Sequence, residues 1–411
     1  MPATRPQVEV QHNLLSRLAE ARRQTDRLFE MVRPEALYGR PIPERHRIIF
    51  YIGHLEAFDW NLLSPHMPGL KPFHREFDRL FAFGIDPVDG GLPSDQPGDW
   101  PSLAEVRGYV DRVRNSLDGF EDPLLSNVAI EHRLMHAETL AYMLHQLPFA
   151  DKVNQGGHSK LSAGPADSRM VEIPAGTTTL GNDSAGFGWD NEYAAHTVAV
   201  PAFEIDRYKV TNGQYREFLE AGGYEDCSLW STDDWNWRTE QSIAHPVFWN
   251  RRNGRWFYRG MFEEIPLPAE WPVYVSHAEA SAYAKWRGKK LPSEAQWHRA
   301  AIGSGQEPDG FDFGKWDPSP VNANPRGASV SGVVGLWGNG WEWTSTAFAP
   351  FDGFQPFPFY PGYSANFFDG KHYVIKGGST RTAACMLRRS FRNWFQPHYQ
   401  YVYAGFRCVK E

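Results

Sequence analysis

The stretch Ala129-Ile130-Glu131-His132-Arg133-Leu134-Met135-His136-Ala137-Glu138-Thr139-Leu140-Ala141-Tyr142-Met143 constrains this chain more than any other. It reads as the middle of a long helix. At about 3.6 residues per turn, His132 and His136 lie on one face, one turn apart. Leu125, Val128, Thr139 and Met143 share that face, so both imidazoles are expected to point inward. Two stacked inward imidazoles can be core residues, each satisfied by a polar partner. They can also grip one metal ion, which favours neutral nitrogen donors. A bare His-x-x-x-His does not choose between these readings.

The segments around it predict a bundle. Leu14, Leu18, Ala21, Thr25, Leu28 and Val32 step by four and three along an amphipathic helix that stops at Pro34. A second helix is expected from about Pro43 to Leu63, with Ile48, Ile52, Leu55 and Leu62 as its buried stripe. Ser102 and Glu105 form a capping box, which opens a third helix carrying Val106, Val110, Val113 and Leu117. The fourth helix holds the histidine pair and ends at Pro148. The pattern is that of a four-helix bundle with a long connection, 65–100, between its second and third helices. His54 sits on the second helix beside the apolar stripe, flanked by Tyr51 and Phe58, where it can be a boundary histidine or a third ligand from a facing helix. Gly53 weakens that helix relative to Ala and so signals a close approach to the backbone.

After residue 153 the composition changes. The segment 155–168 is rich in Gly, Ser and Pro and reads as part of a linker. Of the 16 tryptophans, 14 follow residue 170. Short alternating strands are expected at 171–176, 197–200 and 203–206, and helices at Thr211 onward and at Ser276–Trp286. Past residue 300 the chain has little periodicity, so aromatic packing and turn chemistry must hold it. A net charge of -7 offers no basic footprint for nucleic acid. No apolar run is long enough for a bilayer. Cys227, Cys385 and Cys408 form neither a CxxC nor an even framework, as expected of a cytoplasmic chain.

The second half resembles the formylglycine-generating enzyme/sulfatase-modifying superfamily, a variant of the C-type lectin fold. The resemblance is carried by Val275–Trp286, by Gly288-Lys-Lys-Leu-Pro-Ser-Glu-Ala-Gln-Trp297, by Gly338-Asn-Gly-Trp-Glu-Trp-Thr344, by Lys376-Gly-Gly-Ser379 and by Ala404-Gly-Phe-Arg407. Oxidase members of that superfamily use a close cysteine pair near the C-terminus. Cys385 and Cys408 are too far apart in sequence for that pattern. With a histidine-bearing bundle ahead of it, the whole chain resembles the sulfoxide synthases of ergothioneine and ovothiol biosynthesis and the related selenoneine synthase. The expected class is α+β: a DinB-like four-helix bundle over 1–152, a linker over 153–169 and a formylglycine-generating-enzyme-like domain over 170–411.

The resemblance implies that His54, His132 and His136 bind iron(II); zinc is the chemical alternative for three histidines. It implies that Tyr360 donates a proton towards the iron centre and that Tyr363 lines the substrate pocket. It also implies that Arg392-Asn393-Trp394 recognises hercynine, the betaine of histidine, with Asn393 on the carboxylate and Trp394 facing the trimethylammonium, a group best held against aromatic faces. Phe395 stands where members using glutamylcysteine often carry an Asp. Met135 replaces an amide found in some members. The motif Phe50-Tyr51-Ile52-Gly53-His54 is nearer the selenoneine branch. The expected reaction is therefore iron(II)- and O2-dependent attachment of selenium from a selenosugar to the imidazole C2 of hercynine. Sulfur from glutamylcysteine or cysteine is the alternative donor. A sugar suits an expected aromatic wall of Phe357, Phe359, Phe395 and Tyr399. A non-catalytic, metal-stabilised lectin-like binder is the more distant reading.

Overall fold

A computed structural model describes residues 5–85, 91–153, 164–183, 186–305, 311–323 and 325–411. The chain divides into two compact units, 1–156 and 157–411. Most of the expected linker, 154–163, falls outside the described residues.

The first unit is helical: α1 (Arg5–Glu30), α2 (Ile48–Leu63), α3 (Arg75–Phe83), α4 (Leu103–Ser116) and α5 (Pro123–Gln146). The stripe from Leu14 to Val32 is buried throughout, as its spacing predicts. The second helix opens five residues later than expected. Its first residues instead make turns in which Gly39 and Leu37 carbonyls accept from the Ile48 and Ile49 amides at 3.2 and 2.8 Å. The long connection is not wholly irregular: it holds α3, capped by His74, whose Nδ1 accepts from the Phe77 amide at 3.2 Å. His is an unusual cap, which hides this short helix from capping rules. The box at Ser102 and Glu105 forms as expected. The fourth expected helix, α5, differs in character. It is buried on nearly every side, and its partly exposed positions include His136 and Thr139, on the stripe expected to face inward.

A buried ionic network crosses this unit. Arg133 on α5 reaches Glu56 at 3.0 Å and Asp59 at 2.7 Å, both on α2. Arg114 from α4 joins Glu56 to Asp26 of α1, each at 2.8 Å. Arg133 is 1% exposed and Asp59 fully buried, so each charge needs its partner in place.

The second unit contains β1 (Met170–Ile173), β2 (Gly176–Leu180), β3 (His196–Val200), β4 (Phe203–Asp206), α6 (Asn212–Glu220), α7 (Thr232–Glu240), β5 (Trp249–Arg252), β6 (Arg255–Arg259), β7 (Glu264–Pro266), α8 (His277–Trp286), α9 (Glu294–Ala300), β8 (Trp341–Ala347), α10 (Gly362–Ala365), β9 (Tyr373–Lys376), β10 (Asn393–Phe395), β11 (Ala404–Gly405) and β12 (Val409–Lys410). The strands form small sheets ordered β1-β4-β12, β10-β9-β8-β11, β2-β3 and β5-β6-β7. The superfamily motifs meet at one point. Arg407 grips Glu342 through two bonds of 2.7 Å, and Trp297 Nε1 donates to the same carboxylate at 3.0 Å. Lys209 adds a contact of 3.1 Å. Glu342 is fully buried, and the Arg407 and Lys209 charges hold its carboxyl below the usual range against the opposing effect of burial. Ile173, Phe203, Ile205, Trp297, Val333 and Trp337 pack together as the core of this unit. These motif residues hold the fold and are buried away from chemistry. No helix among the described residues is long and apolar enough to cross a membrane.

Candidate metal centre and aromatic site

His54, His132 and His136 come together. Each offers a ring nitrogen, and these nitrogens all lie within 4.8 Å of one another. Among the described residues they form the only such group of three or more His, Cys, Asp or Glu. His54 Nε2 is 3.2 Å from His136 Nε2. The His54 Nδ1–H donates to the Phe81 carbonyl at 2.7 Å, which leaves the lone pair on Nε2, directed at the cluster. Phe81 is placed by Gly53, where a Cβ would lie 2.4 Å from the Phe81 ring. The weak spot in the second helix is therefore the seat of α3, and α3 supplies the carbonyl that orients a histidine.

Aromatic rings fix the other imidazoles. Phe58 stacks on His132 with centroids 3.4 Å apart and planes 9° apart, and the Tyr51 ring lies 5.8 Å from that of His136; Phe50 stacks on His54 at 4.8 Å. His132 is 3% exposed, whereas His54 and His136 are half-buried. Desolvation of the ring nitrogens lowers His54 to about 4, with the Phe81 carbonyl opposing it. His132 and His136 are driven well below the ordinary histidine value, first by desolvation and then by their histidine neighbours. All three are neutral donors at pH 7. The donor set fits a single ion. Metal–nitrogen bonds of about 2.1 Å put neighbouring ligand nitrogens roughly 3.0–3.4 Å apart, for right-angled to tetrahedral arrangements. The 3.2 Å separation lies in that range.

The predicted substrate residues lie in the second unit, and the structure sorts them. Tyr360 and Tyr363 share one turn: the Tyr363 amide donates to the Tyr360 carbonyl at 3.2 Å, and the rings are 5.5 Å apart. Tyr363 stacks on Trp189 at 4.0 Å and meets Trp394 edge-on at 5.5 Å. Trp394 also stacks on Phe348, at 4.0 Å and 8°. Burial, and then the charge of Asp190, raises Tyr360 above the ordinary tyrosine value.

The strand alternation of β10 divides the Arg-Asn-Trp-Phe run between two faces. Arg392 shares the face of Trp394 and lies 5.0 Å over the other partner of that stack, Phe348. It is 2% exposed and bonded to Glu294 at 3.2 Å and to the Ala349 carbonyl at 3.0 Å. Arg392, expected at the substrate, thus has its guanidinium held by fixed partners beside the Trp394 stack, as a buried charge requires. Asn393 is half-buried, and its Oδ1 accepts from the Trp394 amide at 2.9 Å. Phe395 stacks on Tyr399 at 5.1 Å, and Phe357 on Phe359 at 5.0 Å. The four rings of the expected aromatic wall thus pair off two by two. Trp189, Phe348, Asp190 and Ser364 were not read from the sequence; each lies far along the chain from the partners it packs against. None of the three cysteines forms a disulfide among the described residues, and Cys408 is buried.

Residues 159–411 match the model of the sulfatase-modifying factor enzyme 1-like domain, and residues 17–147 that of the DinB superfamily. The chain is 33% identical to the hercynine oxygenase of Mycolicibacterium smegmatis, over 96% of this chain and 98% of that protein. It is 28% identical to ergothioneine biosynthesis protein 1 of Neurospora crassa, over 93% of this chain and 56% of that longer protein. Mouse formylglycine-generating enzyme is 28% identical over 61% of this chain and 78% of its own length. End-to-end similarity to the first of these, with both domain models in the same order, shows that the chain belongs to the hercynine oxygenase family and is an enzyme of that oxygenase and synthase kind.

Proposed function

We propose that the protein is a hercynine oxygenase that joins a chalcogen to the imidazole C2 of hercynine, with His54, His132 and His136 holding one iron(II). The observation that carries this reading is the cluster of three neutral, ring-fixed histidines in a chain that aligns throughout with hercynine oxygenases. When bound, iron supplies the O2 chemistry that no side chain can perform. The chain's own residues bind, orient and handle protons. Trp394 and Tyr363 offer the aromatic faces that suit a quaternary ammonium. Asn393 offers an amide for the substrate carboxylate. Tyr360, held protonated by burial and by Asp190, is the candidate proton donor.

For the donor, the names of the relatives favour sulfur, since two of them are ergothioneine biosynthesis proteins. In that reaction a thiol S–H and the C2–H are lost, a C–S bond forms, one oxygen atom ends on sulfur and the other leaves as water. One observation keeps a selenosugar as the second reading. Phe395 and Tyr399 form a neutral stack in the region where an acidic side chain would serve the ammonium of glutamylcysteine, and a buried ammonium needs a partner. The test is anaerobic reconstitution with iron(II), then exposure to air with hercynine, glutamylcysteine and a selenosugar at equal concentration, read by mass spectrometry. The glutamylcysteine sulfoxide adduct is the expected product. Preferential formation of the selenium adduct would reverse the choice of donor, and no adduct with any donor would overturn the function.

A further inference from the structure

We propose that Asp190 is a positioning residue, one that holds the Tyr360–Tyr363 turn through Ser364 and places a buried negative charge near the Tyr360 phenol. The inference deepens the proposed role of Tyr360 and rests on it for its catalytic meaning. Asp190 is 2% exposed, and its carboxylate accepts the hydroxyl of Ser364, which is itself fully buried. Ser364 Oγ in turn accepts from Asn191 Nδ2 at 2.9 Å, so two successive residues grip one hydroxyl. Ser364 follows Tyr363 directly and lies one helical turn beyond Tyr360, so fixing it fixes the turn that carries both rings. Trp189 grips the same turn from its other side by stacking on Tyr363. A contiguous segment, 189–191, is therefore the mould for the tyrosines.

The charge has its own consequence. Asp190 is held by the Ser364 hydroxyl and the Phe357 backbone amide, which flank Tyr360 in the chain, and a neighbouring carboxylate disfavours a phenolate. The cations near this segment are committed elsewhere: Arg388 to Glu192 and Arg392 to Glu294. Burial raises the carboxyl of Asp190 itself, against the Ser364 hydroxyl and the backbone amides of Asn191 and Phe357. Its influence on Tyr360 therefore exists only where it is ionised and fades in acid. Neutralising Asp190 removes the repulsion, so Tyr360 must ionise at lower pH.

The experiment places 3-fluorotyrosine at position 360 of the full-length protein and follows its fluorine resonance against pH. In Asp190→Asn, which keeps an acceptor for Ser364, the titration midpoint is expected to fall, and the alkaline limb of kcat is expected to move to lower pH with it. The hercynine KM should change less than about twofold, as for a residue that tunes a proton donor and does not bind substrate. A folded Asp190→Asn protein with the midpoint unchanged overturns the proposal. Ser364→Ala keeps the charge and removes the tether. A second or broadened resonance is expected there, and a single unchanged resonance overturns the positioning role even if Asp190→Asn fails to fold. The fluorine readout needs no substrate, so it stands apart from whether hercynine is turned over.

Discussion

Trp394 shows how much a single residue depends on its neighbours. One of its faces is taken by Phe348 and its flank by Tyr363, so a bound cation would meet a ring that is already held in place. Once bound substrate excludes water, cation–π attraction is about 2 kcal/mol, roughly thirtyfold in affinity. Trp394→Ala is expected to raise the hercynine KM by about that factor while leaving the donor KM nearly unchanged; steady-state kinetics with each substrate varied in turn measures both. Equal losses for the two substrates would mean that Trp394 supports the fold of the second unit and does not read the ammonium. Histidine, which lacks the methyl groups, should be a poor substrate for the same reason. The tryptophan and its tyrosine partners could be singled out from the sequence, but Phe348 and Trp189 could not. Nothing in a stretch of aromatics says which rings will stack.

At the scale of elements, the site in the first unit depends on how α2, α3 and α5 pack. Gly53→Ala would gain helix propensity but drive a methyl group into the Phe81 ring, 2.4 Å away. Overpacking of that kind costs about 1–3 kcal/mol, and displacing α3 also removes the carbonyl that orients His54. Partners of metal ligands are worth about 10–100-fold in metal affinity. The expected result is a modest loss of stability in urea and a tenfold or greater loss of iron affinity in a chelator competition. Arg133→Met tests the packing of α2 against α5. It leaves Glu56 and Asp59 buried with less compensation, and breaking a buried pair costs about 3–5 kcal/mol. A smaller loss in urea unfolding would show that Arg22 and Arg114 take over, since Arg22 already lies 3.5 Å from Asp59. The helices α1, α4 and α5 were legible because period and capping chemistry are local. The helix α3 was not, because it is short and is capped by a histidine.

For the whole molecule, the two sets of residues belong to different compact units: the histidines to 1–156 and the tyrosines, Asn393 and Trp394 to 157–411. Metal binding should therefore need only the first. Residues 1–156 expressed alone are expected to take up one iron(II) and to yield no product with hercynine. In the full chain, His132→Ala or His136→Ala should abolish stoichiometric iron while the far-ultraviolet circular dichroism is unchanged. Iron analysis of these proteins decides the matter: retention of one iron and of activity in both variants would remove the assignment of the ligands.

The amino-acid sequence determined the helical period that puts His132 above His136, the box that starts α4, and the domain order. Each of these follows from interactions over one or two turns or from motif spacing. The tertiary structure decided what meets what. It brought His54 to a pair some 80 residues away in the chain, 3.2 Å at the nearest nitrogens. It made the Phe81 carbonyl the orienting partner of His54, and backbone carbonyls leave no signature in sequence. It buried Arg392 beside the Trp394–Phe348 stack and tied its guanidinium to Glu294, 98 residues back along the chain. It also chose the ring pairs, Phe357 with Phe359 and Phe395 with Tyr399. Aromatic rings attract one another broadly and in several geometries, so composition alone cannot pair them; only the closed packing of the second unit does.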